Sequence, residues 1–175
     1  SFNSFAGDDN LRHNKTVAFA RMLPNLEEID LSHTTGMPLG CARDFRNRYC
    51  RNLWRVIWNS SQQHVGLSDM FLPQAMTEIY LDNSQIFTPP VLAQLYSSAF
   101  VGSYMFQNCN RLERLSIMNT TWTSYGSETT QPVAQEMLIK MVRQHPTLRW
   151  LRSDLTDENI AMLQQERPDF TFVSK

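Results

Sequence analysis

Apolar residues recur along this chain in a nine-residue form, L-x-x-L-x-L-x-x-(hydroxyl). The first copy places Leu26, Ile29, Leu31 and Thr34 at its fixed positions, and the second Leu53, Val56, Trp58 and Ser61. The third carries Met76, Ile79, Leu81 and Ser84, and the fourth Leu112, Leu115, Ile117 and Thr120. A fifth, degenerate copy has Leu148, Leu151 and Thr156 but Ser153 where the third apolar residue belongs. From Leu26 to Leu31 the alternation has period two, so Ile29 and Leu31 face one side while Glu28 and Asp30 face the other. Each copy therefore predicts a short, half-buried strand. One such strand cannot bury its apolar face alone, whereas copies stacked side by side in parallel build a continuous core. The ninth-position hydroxyl is expected to accept a hydrogen bond from a backbone donor where the chain turns off the sheet.

Between the copies the period changes to that of helices. Residues 131–144 put Val133, Ala134, Met137, Leu138, Met141 and Val142 on one face, with Thr130 as cap, Pro132 in the first turn and Pro146 just past the end. Thr88 with the two prolines after it opens a second helix through Val91, Leu92, Leu95 and Tyr96, and Asn14 caps a third through Val17, Phe19, Ala20 and Leu23. Cys41, Phe45 and Tyr49 mark a shorter piece. Gln62 to Pro73 has no clean period and predicts an irregular loop. Thr156 caps a last helix, Asp157 to Glu166, which Pro168 ends before Phe170, Phe172 and Val173 form an edge strand.

The copies begin at Leu26, Leu53, Met76, Leu112 and Leu148, so 27, 23, 36 and 36 residues separate them. Lead-in phrases precede four of them: Leu23 to Leu26, Cys50 to Leu53, Cys109 to Leu112 and His145 to Leu148. With these motifs, residues 15 to 175 resemble the leucine-rich repeat family. Met105-Phe106 to Leu112 is similar to the lead-in of irregular, BspA-like members, and the Pro-containing lead-ins to the ribonuclease-inhibitor-like subclass; both subclasses stay open. The resemblance implies an α/β solenoid in one domain, 14–175, after a loose segment or repeat stub at 1–13. Five to six short parallel strands would line its concave side, with helices and irregular segments on the convex side. It implies a protein-recognition module. Two alternatives are the substrate-reading part of a ubiquitin-ligase adaptor whose F-box lies upstream, and a structural subunit of a larger assembly.

Outward positions of the strands then form rows across the sheet. The third position reads Glu28, Arg55, Glu78, Arg114 and Trp150, and the fifth Asp30, Ile57, Tyr80, Ser116 and Arg152. Neighbouring parallel strands lie about 4.8 Å apart, so alternating charges in the first row pair laterally. One reading of that row is a solvated ladder of ion pairs, each worth at most about 1 kcal/mol. The other is a partner-binding face, where Ile57 and Tyr80, with Trp54 and Trp150 near them, form an apolar and aromatic patch that anchors a protein. An adjacent loop covering that patch is its competing reading.

Composition narrows the function classes. The chain has 175 residues, 42% of them apolar and only 19% charged, which excludes a disordered chain. Its net charge of −1 supplies no bulk attraction to nucleic acid or anionic membranes, and no apolar run is long enough to span a bilayer. Cys41, Cys50 and Cys109 lack the spacing of a disulfide framework or a zinc site, so buried thiols and an intracellular, reducing location are expected. His33 near Asp30 and Ser32, and His64 near Ser60 and Ser61, superficially offer triad parts. No nucleophile elbow, phosphate loop or metalloprotease motif accompanies them. The expectation is a protein without catalysis, cofactor or metal. Sequons at Asn14, Asn59 and Asn119 would carry glycans only in a secreted chain.

Overall fold

A computed structural model describes residues 18, 21–33, 50–60, 65–66, 76–88, 109–124 and 129–174. Each of the five motif copies contributes one three-residue strand: β1 (Glu28–Asp30), β2 (Arg55–Ile57), β4 (Glu78–Tyr80), β6 (Arg114–Ser116) and β9 (Trp150–Arg152). With β10 (Thr171–Val173) they form a six-stranded sheet in the order β1-β2-β4-β6-β9-β10, parallel throughout. Pairing follows the motif position by position. Ile29, Val56, Ile79, Leu115, Leu151 and Phe172 lie opposite one another in sequence order across the sheet.

Backbone hydrogen bonds repeat with the same phase. The carbonyl of Glu27 accepts from the N–H groups of Trp54 and Arg55, that of Trp54 from Thr77 and Glu78, that of Thr77 from Glu113 and Arg114, and that of Glu113 from Arg149 and Trp150. At the far edge the equivalent carbonyl, on Phe170, accepts from the side chain of Gln164 (3.2 Å) in place of a further strand. An edge group that would otherwise offer pairing is thus covered locally.

One face of this sheet is the core. Leu53, Met76, Leu112 and Leu148 at the first motif position and Val56, Ile79, Leu115 and Leu151 at the fourth are buried, as are Trp58, Leu81 and Ile117 at the sixth. They pack in one cluster with Met137, Leu138, Met141 and Val142 of α1 (Gln135–Gln144) and Leu163 of α2 (Asp157–Glu166). Burying each large side chain contributes about 1.5–3 kcal/mol, which short strands without these neighbours could not gain. Ser153 takes the degenerate sixth position and is buried too.

A second sheet, β3-β5-β7-β8, was not anticipated. β5 (Gln85–Thr88) and β7 (Thr121–Ser124) follow directly on the ninth motif positions Ser84 and Thr120 and pair in parallel, with β3 (Val65–Gly66) beside β5. Two expectations are corrected here. The stretch from Gln62 to Pro73, expected as an irregular loop or single turn, contains strand β3. Thr88 ends β5, pairing with Ser124, in the extended geometry that a helix-capping residue also adopts. Thr130–Pro132 is β8, antiparallel to β7, so α1 begins only at Gln135 with Ala134 as its cap residue. An edge strand tolerates Pro132 because its missing N–H can face away from the partner.

The last helix and edge strand match expectation, with the Thr156 hydroxyl accepting from the Asn159 N–H (3.3 Å) at the α2 N-cap. Ala18, Arg21 and Met22 are helical. Leu23, expected in the same helix, is not helical. Residues 14–17, 19 and 20, the segment 1–13, the Cys41 piece and the helix after Thr88 lie outside the described residues.

Candidate functional site

The chain turns off the large sheet through positions seven, eight and nine, and all three carry structure that the apolar pattern did not reveal. The eighth residue is left-handed in four copies: His33 (φ 59°), Ser60 (φ 53°), Asn83 (φ 57°) and Asn119 (φ 53°). Asn tolerates that region best among non-glycine residues, and the Asn119 amide donates to that of Asn83 (3.1 Å). At the seventh position three successive N–H groups donate to the seventh side chain of the copy before. Asn59 N–H reaches Ser32 Oγ (3.1 Å), Asp82 N–H reaches Asn59 Oδ1 (2.8 Å), and Met118 N–H reaches Asp82 Oδ1 (2.8 Å). Met118 has no oxygen to pass on. Asp154 instead reaches back, its Oδ2 accepting from Asn119 N–H (2.7 Å).

Among the described ninth-position hydroxyls, Thr156 accepts from a backbone N–H as expected, whereas Ser84 and Thr120 act in the opposite sense. Ser84 Oγ donates to the carbonyl of Trp58 (2.7 Å) and Thr120 Oγ1 to that of Leu81 (2.9 Å), both in the preceding copy. The groups in need there are carbonyls leaving the sheet edge, so the hydroxyl serves as donor. The lead-ins are tied across copies too, with Cys50 Sγ donating to the Leu23 carbonyl (3.3 Å) and a His145 ring nitrogen 3.2 Å from the Cys109 carbonyl. Cys50 and Cys109 are buried thiols, and burial pushes the Cys50 thiol pKa up.

On the outer face the third-position row forms as predicted. Arg55 lies between two carboxylates, Nη1 3.0 Å from Glu28 Oε2 and Nε 3.2 Å from Glu78 Oε2. Arg114 Nε stands 3.8 Å from Glu78 Oε1, and its guanidinium stacks over the Trp150 ring at 4.7 Å. Tyr80 joins this row from the fifth position. Its hydroxyl donates to Glu78 Oε2 (2.9 Å), the Arg55 guanidinium sits 5.2 Å above its ring, and the ring meets that of Trp150 at 6.2 Å between centroids, tilted 53°. Tyr80 and Trp150 come from β4 and β9, so they meet across β6.

Comparison with protein-family models and with curated proteins returns no match.

The remaining predicted site residues are more dispersed. Ile57 lies beside Tyr80 in register and is half-buried, as are Tyr80, Trp150 and Trp54, so the patch is less exposed than the sequence suggested. Trp54 precedes β2, and its carbonyl serves the backbone ladder. Asp30 is turned toward its own turn, where Ser32, through its hydroxyl and its N–H (2.8 Å), holds the carboxyl pKa below the usual range. Arg152 leaves the row for Asp82, its Nη1 2.9 Å from Asp82 Oδ2.

Asp82 is the site residue that the sequence reading missed. It is 6% exposed, and Ser116 Oγ (2.6 Å) and Met118 N–H both donate to its Oδ1. The seventh position reads Ser32, Asn59, Asp82, Met118, Asp154. Short acceptors at four of those five positions were the available signal. Among the described residues no group of His, Cys, Asp and Glu could hold a metal ion, and no helix is long and apolar enough to cross a membrane.

Proposed function

We propose that the chain is a leucine-rich repeat solenoid that acts as a protein-recognition module, without catalysis, through the outer, concave face of its large sheet. The repeat reading draws support from the motif copies, whose equivalent positions pair strand to strand in parallel. The observation that carries the recognition reading is the Tyr80–Trp150 pair flanked by Arg55 and Arg114. Tyr, Trp and Arg are the residue types that dominate binding energy at protein interfaces, where aromatic area is gained at little loss of side-chain freedom. These side chains stand on strands fixed by the core, so the surface is organised before a partner arrives. The thiols of Cys50 and Cys109 support an intracellular setting.

A photo-crosslinking residue at Thr171, exposed in the same outward row, tests this against one at Ala161, exposed on α2. In extract of the native source, Thr171 should give a saturable cross-link to a protein and Ala161 should not. A saturable product from Ala161 alone would contradict the reading.

A further inference from the structure

The outer face is electrically lopsided. Its β1 end presents Glu28, with the side chain 49% exposed, and Asp30. Toward β6 and β9 the two carboxylates are sheltered: the Glu78 side chain is 19% exposed and engaged by Arg55 and the Tyr80 hydroxyl, and the Asp82 side chain is 9% exposed and engaged by Ser116, Met118 N–H and Arg152. The guanidinium groups there are not sheltered. Arg114 and Arg152 each keep 44% of the side chain in solvent. The Arg114 side chain makes no hydrogen bond among the described residues, since its 3.8 Å approach to Glu78 is too long for one. The guanidinium carbon lies 4.7 Å from the centre of the Trp150 ring, a cation–π contact that needs no conventional hydrogen bond from its N–H donors.

Resting on the recognition reading above, we propose that this half of the face receives an acidic segment of the partner protein, a carboxylate of which takes the N–H donors of Arg114, with Arg152 on the adjacent strand adding positive charge. A guanidinium held over an aromatic ring has already lost part of its side-chain freedom, so less remains to be lost when it binds a carboxylate. The net charge of −1 means that the whole molecule does not attract acidic peptides. Any such preference originates locally.

The test is titration calorimetry with a Glu-Ala repeat peptide and its Gln-Ala and Lys-Ala counterparts, repeated on Arg114→Gln and Arg114→Lys. The Glu-Ala peptide should bind roughly ten-fold tighter than either counterpart, the equivalent of one charge-assisted hydrogen-bonded pair. Arg114→Gln should remove that preference with an unchanged melting temperature, and Arg114→Lys, which keeps the charge without the fork, should restore part of it. Equal binding of the three peptides, or a Glu-Ala preference that survives Arg114→Gln, would overturn the proposal. So would anionic vesicles or duplex DNA binding in an Arg114-dependent way while the Glu-Ala peptide does not. A protein cross-link from Thr171 without any Glu-Ala preference overturns the acidic chemistry alone, whereas absence of that cross-link bears on the recognition reading.

Discussion

Arg152 reaches back seventy positions along the chain to Asp82, with Nη1 2.9 Å from Oδ2, passing over the strand between them. The same carboxylate collects Ser116 Oγ and Met118 N–H on its other oxygen. Three motif copies thus converge on one sheltered side chain. A carboxylate at that depth is tolerable only because every neighbour is a donor.

Asp82→Ala should destabilise the protein by about 2–4 kcal/mol, because it strands a buried hydroxyl and a buried N–H as well as removing the ion pair. Arg152→Gln should cost less, about 1 kcal/mol, since its guanidinium is nearly half in solvent and Asp82 keeps both donors on Oδ1. Urea unfolding of the two variants checks the asymmetry. Equal losses would mean that the ion pair, rather than the hydrogen bonds to Oδ1, holds the three copies together.

Ser84→Ala removes the donor to the Trp58 carbonyl with loss of only the hydroxyl oxygen. A buried polar group left without its partner costs about 1–3 kcal/mol. The midpoint of thermal unfolding should fall accordingly, and Thr120→Val should behave alike because it caps the Leu81 carbonyl in the same way.

Position eight gives a test of backbone geometry. Asn83 holds φ 57°, where a β-branched side chain clashes and glycine is at ease. Asn83→Val should cost about 1–3 kcal/mol in chemical denaturation, and Asn83→Gly should cost less despite losing the contact with Asn119.

How much of this could be read from the residues differs by position. The large sheet, its register and its two faces were legible, because positions one, four and six are set by burial and burial writes itself as apolar spacing. Ile79 is buried and Tyr80 half-buried as that spacing requires. The turn was not legible from the same signal. Positions seven and eight are polar and outside the apolar pattern, although Asn83 and Asn119 are suited to a left-handed turn and Ser32, Asn59 and Asp82 form a row of acceptors. The second sheet was hidden for another reason. Gln85–Thr88 and Thr121–Ser124 are too short to display a period, and what defines them is pairing with each other. Thr130 and Pro132 resembled a helix start, but pairing with β7, and a hydrogen bond from Trp122 Nε1 to the Pro132 carbonyl (3.2 Å), place them on an edge strand. Lateral rows predicted Arg55 between Glu28 and Glu78. They could not show Arg152 turning away to Asp82.

Acid should loosen the C-terminal part of the molecule. The Arg143 guanidinium, hydrogen-bonded to Glu166 (Nε to Oε2, 2.7 Å), joins α1 to α2 and holds the Glu166 carboxyl below its usual pKa. Arg167 does the same for Asp169. A carboxylate whose folded-state pKa is depressed stabilises the fold fully above its unfolded value, about 4 for these groups, and that stabilisation disappears as pH falls through the folded value. Melting temperature should therefore hold from neutral pH down to about pH 5 and decline below it. Glu166→Gln should make the decline shallower, which a series of melts across that range would show.

The most direct test of recognition by the outer face is the affinity of Tyr80→Ala/Trp150→Ala for the protein that cross-links from Thr171, measured beside its melting temperature and beside Ile79→Ala. Ile79 faces the core, and its truncation should cost about 2–5 kcal/mol through lost burial and a cavity. Tyr80 and Trp150 stand on the opposite face, so the double variant should stay folded and lose at least about ten-fold in affinity, as removal of central aromatic anchors does. A folded double variant that binds its partner as tightly as the parent would contradict the account.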